Sequence, residues 1–169
     1  MKEFGIEKGL ERILDLAKTK EQKPVLIAVC GYADSGKTFL CTRAREKFTD
    51  EKISMSSSYD GKSNYRCASH YDYFFIHVPL DKIEISEVSK HTQKHLGKPV
   101  DISVHIYNPD DLRFEKPDLE HLKKYDVVIK NTGALYKDID AAIGVIAAQL
   151  ASSAVQARVE KYLSKRMRI

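Results

Sequence analysis

Hydrophobic positions recur along this chain in two rhythms, and the rhythm switches repeatedly between residue 6 and residue 150. Ile6, Leu10, Ile13, Leu14 and Ala17 return at steps of three and four, the spacing that lines one face of a helix. They predict an N-terminal helix over residues 4–18, followed by a charged linker at 18–23. Residues 24–30, Pro-Val-Leu-Ile-Ala-Val-Cys, form an unbroken apolar run rich in β-branched side chains, the mark of a strand covered on both faces. Leu40, Ala44 and Phe48 recur at a step of four and predict a second helix over 38–48. Residues 53–58 predict a weaker second strand, and the polar stretch 59–70 a loop or irregular segment. Residues 71–78 predict a third strand, ended by Pro79.

The second half continues the alternation. Asp81 and Glu84 stand at capping-box spacing ahead of a helix that runs to Leu96, where Gly97 and Pro99 stop it. Residues 100–107 alternate and predict a fourth strand, with a turn at 108–111 and a short helix over 118–124. Residues 125–130 predict a fifth strand, broken by Asn131-Thr132-Gly133. Ile139, Ile143, Ile146 and Leu150 line a long last helix from about residue 137. Strands separated by helical segments imply parallel βαβ crossovers. The expected fold is therefore α/β: one domain over residues 1–169, a three-layer α/β/α sandwich around a mostly parallel five-stranded sheet. In such sheets a ligand lies beyond the carboxyl ends of the strands. That gathers residues 31–38, 57–60, 79–81, 107–113 and 131–133 around one cleft.

Residues 31–38, Gly-Tyr-Ala-Asp-Ser-Gly-Lys-Thr, fit G-x-x-x-x-G-K-[ST], the phosphate-binding P-loop. Gly31 and Gly36 let the backbone turn where a Cβ would clash, and the loop then aims successive N–H groups at a phosphate chain. Tyr32, Ala33, Asp34 and Ser35 form the span between the glycines, and Phe39 follows the motif. Lys37 can reach the β and γ phosphates, and Thr38 can offer its hydroxyl to Mg²⁺. Asp34 would repel phosphate if it faced inward, so it is expected to point out or to hold a water near the metal. The order strand, loop, helix is the context that the motif requires.

Composition narrows the classes. A length of 169 residues with 43% hydrophobic content suits one core. No apolar stretch approaches a membrane span, and the N-terminal residues lack the apolar segment of a secretory signal. Cys30, Cys41 and Cys67 show no paired metal spacing; two of them sit in apolar contexts, where buried free thiols are expected, and a reducing cytoplasm fits. The net charge of +4 draws on Lys161, Lys165, Arg166 and Arg168, which read as a solvated helix end rather than a nucleic-acid surface. His91 and His95 are four apart, but the Glu of H-E-x-x-H is missing. No N-K-x-D occurs in residues 125–133, so ordinary guanine recognition is not supported. The expected partners are a nucleotide and a small-molecule acceptor.

With these pieces in place the chain resembles the small P-loop nucleoside and nucleotide kinases of the P-loop NTPase superfamily, most of all the uridine kinase group. The resemblance rests on the N-terminal helix leading into residues 25–38, on Ser58-Tyr59-Asp60 after a strand, on Tyr71-Asp72-Tyr73-Phe74-Phe75-Ile76, and on residues 125–133. It implies ATP and Mg²⁺ as ligands. It also implies Asp60 as the carboxylate serving the acceptor hydroxyl, with Asp81 as second choice and as a metal-site residue beside Thr38. Lys37 and Arg113 would stabilise the transferring phosphoryl group, and Asn131 and Gly133 would lie beside the adenine. Two functions fit. One is phosphoryl transfer from ATP to a hydroxyl of a nucleoside or other small molecule. The other is a non-catalytic nucleotide-binding sensor or interaction module on the same scaffold. The strand end His77-Val78-Pro79, which carries no acid, and a lid region with only Arg113 and Lys116 fit the second; the intact loop and Ser58-Tyr59-Asp60 fit the first.

Overall fold

Among the described residues, six strands and four α-helices follow one another in the order β1 (Glu3–Phe4), α1 (Ile6–Lys18), β2 (Val25–Gly31), α2 (Lys37–Lys47), β3 (Ile53–Ser56), β4 (Tyr73–Pro79), α3 (Ile85–Leu96), β5 (Ile102–Tyr107), α4 (Leu119–Leu122) and β6 (Val127–Lys130). The computed structural model describes residues 2–56, 65, 67–79, 83–112 and 115–132, and these belong to one compact unit, Met1–Thr132. The helix expected from about residue 137 lies outside the described residues.

The strands form one sheet in the order β1-β6-β5-β2-β4-β3, and every pair is parallel. The α/β class and the parallel sheet are as the sequence predicts. The strand count is not: six are present among the described residues where five were expected. The extra one is β1, two residues at the sheet edge that pair with β6 through Glu3 opposite Val128 and Phe4 opposite Ile129. It also corrects the N-terminal helix, which begins at Ile6 rather than residue 4. Two residues carry no readable period, and only β6, far along the chain, makes them a strand.

Strand β2 is central because both of its faces are covered. Val25, Ile27 and Val29 enter a core shared with Leu10, Ile13 and Leu14 of α1 and Leu40 of α2. Leu26, Ala28 and Cys30 enter a second core with Val88 of α3 and Leu122 of α4. Helices therefore pack on both faces, α1 and α2 on one and α3 and α4 on the other. The alternation over residues 100–107 does not mark a solvent face either. All six residues of β5 are buried, since it lies between β2 and β6. Its polar positions are accommodated inside. Ser103 donates both its backbone N–H and its hydroxyl to Asp126 Oδ2, each at 2.8 Å.

Three ion pairs tie α1 to α2, one of them between Lys47 and Glu7 at 3.3 Å. Glu7 meets Arg43 at 3.0 Å, and Glu11 meets Lys47 at 2.7 Å. The hydrogen bond from Arg43 holds the Glu7 carboxyl below its ordinary range. These pairs are largely exposed and contribute little apiece, but they keep α1 aligned behind the helix that follows the loop. The chain runs from β2 out to β3 and β4 on one side, then crosses back over β2 to β5 and β6 on the other. The carboxyl end of β2 is thus the switch point, where open parallel sheets bind ligands.

Candidate functional site

The sheet ends at that switch point on Gly31, which sits opposite Pro79 of β4. A Cβ at Gly31 would run into the carbonyl oxygen of Ile106 on β5 and into Ser35 Oγ. Only glycine lets the neighbouring backbone and the loop come this close. Two left-handed residues then bend the loop, Asp34 at φ 60° and Gly36 at φ 107°. Aspartate tolerates this region better than most side chains, and glycine has no penalty there. Left-handed residues set into such a turn gather backbone N–H groups into a concavity that suits an anion.

Gly36 is also the N-cap of α2, the helix that the loop feeds. No side chain caps this end, and no acidic residue lies in its first turn. The first N–H groups of any helix lack partners within it, and the macrodipole adds positive charge there. Here neither a capping oxygen nor a carboxylate of the chain's own first turn answers that charge, which leaves a ready anion site. Lys37, the first residue of the helix, is 5% exposed and donates from Nζ to the carbonyl oxygens of Gly31 and Tyr32, both at 2.5 Å. Its ammonium is therefore pinned inside the loop by the loop's own backbone. Ser35 is 2% exposed, and its Oγ has no hydrogen-bond partner. A buried polar atom without a partner in a loop of this shape fits a phosphate ligand. Asp34 is exposed, as are Ala33 and Thr38, while Tyr32 and Phe39 are half-buried.

A tie that the sequence does not announce holds the loop from the far side. Asn131, 2% exposed, donates from Nδ2 to the Ser35 carbonyl at 3.0 Å, and its backbone N–H donates to Tyr107 at 2.8 Å. The kinase resemblance implies a place for Asn131 beside the adenine. The structure gives it a positioning contact, linking the end of β6 and the end of β5 to the loop.

Beside the loop opens a cleft of about 260 Å³, walled by Tyr32, Glu115, Lys116, Pro117, Asp118 and His121 and floored by His105. The pieces of its wall are locally braced. Asp118 caps α4 by accepting from the His121 backbone N–H at 2.6 Å. Outside that wall, after β5, Asn108 Oδ1 accepts from the Asp110 N–H at 2.9 Å, closing the expected turn. His105 pairs in register with Cys30, the residue immediately before the loop. Burial, with lesser contributions from the His121 and Lys37 charges, lowers its imidazole to about 4. Sequence reasoning passed over this histidine. The available signal was a lone imidazole inside an otherwise apolar run flanked by two other buried strands.

Burial disfavours the thiolate at two of the three cysteines. Burial pushes Cys30 up to about 12 and Cys41 up to about 11, and both are free and buried, while Cys67 is free and exposed. No group of three or more His, Cys, Asp or Glu among the described residues is placed to hold a metal, and among those residues His91 and His95 belong to no such group. Asp60, Asp81, Arg113 and Gly133 lie outside the described residues. The structure thus brings together Gly31, Ser35, Gly36, Lys37 and Asn131. No helix among the described residues is long and apolar enough to cross a membrane. No protein-family model matches the chain, and no curated protein matches it.

Proposed function

We propose that this chain is a phosphotransferase of the P-loop NTPase fold that binds Mg-ATP at residues 31–38 and transfers the γ-phosphoryl group to a hydroxyl of a nucleoside or other small molecule. The observation that carries the reading is the start of α2: an uncapped helix end with no acid in its first turn, joined to a bent loop that encloses the Lys37 ammonium. Its place at the switch point of a parallel sheet supports the same reading. ATP would supply the transferable group, and Mg²⁺ would neutralise part of its charge.

The chain's own residues then have separable tasks. Backbone N–H groups at the start of α2 bind phosphate oxygens. Lys37 offsets negative charge as it builds on the transferring group. Thr38, in the first helical turn, would be the protein's hydroxyl toward the metal, and Asp81 the carboxylate expected to join it. Asp60 is the proposed base for the acceptor, with Arg113 on the γ-phosphoryl. Phosphoryl transfer demands positioning and charge stabilisation more than covalent chemistry, so a loop tied by Asn131 and closely flanked by the Ile106 carbonyl suits it. The adjoining cleft favours transfer over binding alone, because a sensor of nucleotide needs no second pocket.

The test is incubation of the purified protein with γ-labelled ATP and a panel of nucleosides, sugars and vitamins. At least one hydroxyl compound should acquire label. Asp60→Asn should spare ATP binding and lower that turnover on the order of a hundredfold or more. ATP binding with no labelled product from any acceptor would return the account to a nucleotide sensor.

A further inference from the structure

His105 is a buried imidazole beside the loop that the proposed chemistry does not use. It is 1% exposed, and neither Nδ1 nor Nε2 reaches solvent or a hydrogen-bond partner among the described residues. Folded proteins pair nearly all such atoms, so an unpaired ring calls for an explanation. Its surroundings suit the ring only without charge. Tyr125 and His121 pack against it at centroid distances of 4.9 and 5.4 Å, and Tyr107 of its own strand at 6.1 Å. The Tyr125 hydroxyl is engaged elsewhere, with His121 and the Cys30 thiol. The charges that bear on the ring from α4 and α2, at His121 and Lys37, are both positive. Glu115 and Asp118 share the cleft with it, but both are exposed, where solvent and salt screen them.

The ring also stands where the sheet meets the loop. In register it lies between Cys30 of β2, the residue before Gly31, and Val128 of β6. The carbonyl of Ile106, the next residue, is the one that bars a side chain at Gly31. The carbonyl of Tyr107 accepts from Asn131, which holds Ser35. We propose that His105 is a proton-operated latch behind the loop: uncharged, it lets β2, β5 and β6 close at the loop's base, and a proton on it forces that closure open and releases the phosphate site. A proton can reach either nitrogen only when the packing around the ring opens. Reclosing would then bury an imidazolium against the positive charges of His121 and Lys37. The release of the phosphate site rests on the phosphotransferase reading; the latch itself rests on packing and charge. Burial first, and then the His121 and Lys37 charges, lowers the ring from its ordinary 6.5 to about 4 in the folded chain. A base depressed in this way stabilises the fold fully above its unfolded value of 6.5, and that contribution is lost as pH falls toward 4. At pH 5 the loss amounts to about thirtyfold in the folding equilibrium.

Urea unfolding of the whole chain at pH 7.5 and at pH 5 tests the latch. Between the two, the natural chain should lose about thirtyfold more of its folding equilibrium than His105→Phe, which keeps a ring but cannot take the proton. By NMR, the His105 Cε1–Hε1 signal of the natural chain should hold its neutral position down to pH 5. The rise in melting temperature with Mg-ATP should shrink on acidification more in the natural chain than in His105→Phe. The variant meets the same nucleotide, so it sets the baseline for ATP's own protonation. The proposal is overturned by equal acid losses in natural chain and variant, by a His105 signal that titrates near its ordinary value in the folded protein, or by an equal Mg-ATP response of the two at pH 5. Should His105→Phe fail to fold, His105→Leu takes its place, and the natural chain's NMR titration decides by itself. No Mg-ATP response in the natural chain at either pH is a different result: it sinks the phosphotransferase reading and leaves the latch to the urea and NMR measurements.

Discussion

Replacing Lys37 by alanine should abolish most of the stabilisation that Mg-ATP confers. A ligand at a hundred times its dissociation constant stabilises a protein by about 2.7 kcal/mol. In a chain of this size that raises the melting temperature by roughly 5 to 11 °C. The Lys37 ammonium is nearly buried and fixed to the carbonyls of Gly31 and Tyr32, so its charge is held at the loop rather than sweeping solvent. A preplaced charge of this kind is not replaced by any other cation of the loop, since residues 31–38 contain no second lysine or arginine. Thermal unfolding with and without Mg-ATP measures the effect. An unchanged shift in Lys37→Ala would remove Lys37 from the binding site.

Gly31→Ala should be nearly as damaging, for a steric reason. The added methyl would meet the carbonyl oxygen of Ile106, which is backbone in the middle of the sheet and cannot rotate away, and Ser35 Oγ inside the loop. Forcing extra volume into a packed site costs roughly 1–3 kcal/mol, or about 2 to 12 °C in melting temperature at this length. The strain falls where β2 passes into the loop, so nucleotide binding should be lost along with stability. Urea unfolding and the Mg-ATP shift, measured on the same variant, separate the two effects. A Gly31→Ala chain with natural stability and natural binding would mean that β5 does not approach the loop as described.

The legible parts of this molecule were the local ones. The loop could be read because glycine spacing, the preceding apolar run and the following helical period all lie within about twenty-five residues. The C-terminal end of α3 was legible too, since Gly97 takes the left-handed cap that its position predicts. The start was not, because Glu84, expected inside a capping box, is itself the N-cap of a helix that begins at Ile85 and makes no side-chain cap bond. What could not be read depends on partners distant in sequence. β1 is a strand only because β6 lies beside it. Strand β5 alternates like a surface strand, yet β2 and β6 flank it and its polar residues turn inward. His105 therefore passed as an ordinary polar position. The bond from Asn131 to Ser35 spans 96 positions of chain. Such a contact leaves no trace in a local window.

The central claim is that the loop and the start of α2 bind a nucleotide's phosphates. A backbone amide spectrum of isotope-labelled protein, recorded with and without Mg-ATP, tests it most directly. The account predicts the largest shifts at Gly31, Asp34, Ser35, Gly36, Lys37 and Thr38, with smaller changes at Asn131 through its tie to Ser35. A spectrum in which those amides stay still at saturating Mg-ATP, or in which the changes cluster on another part of the sheet, would contradict it.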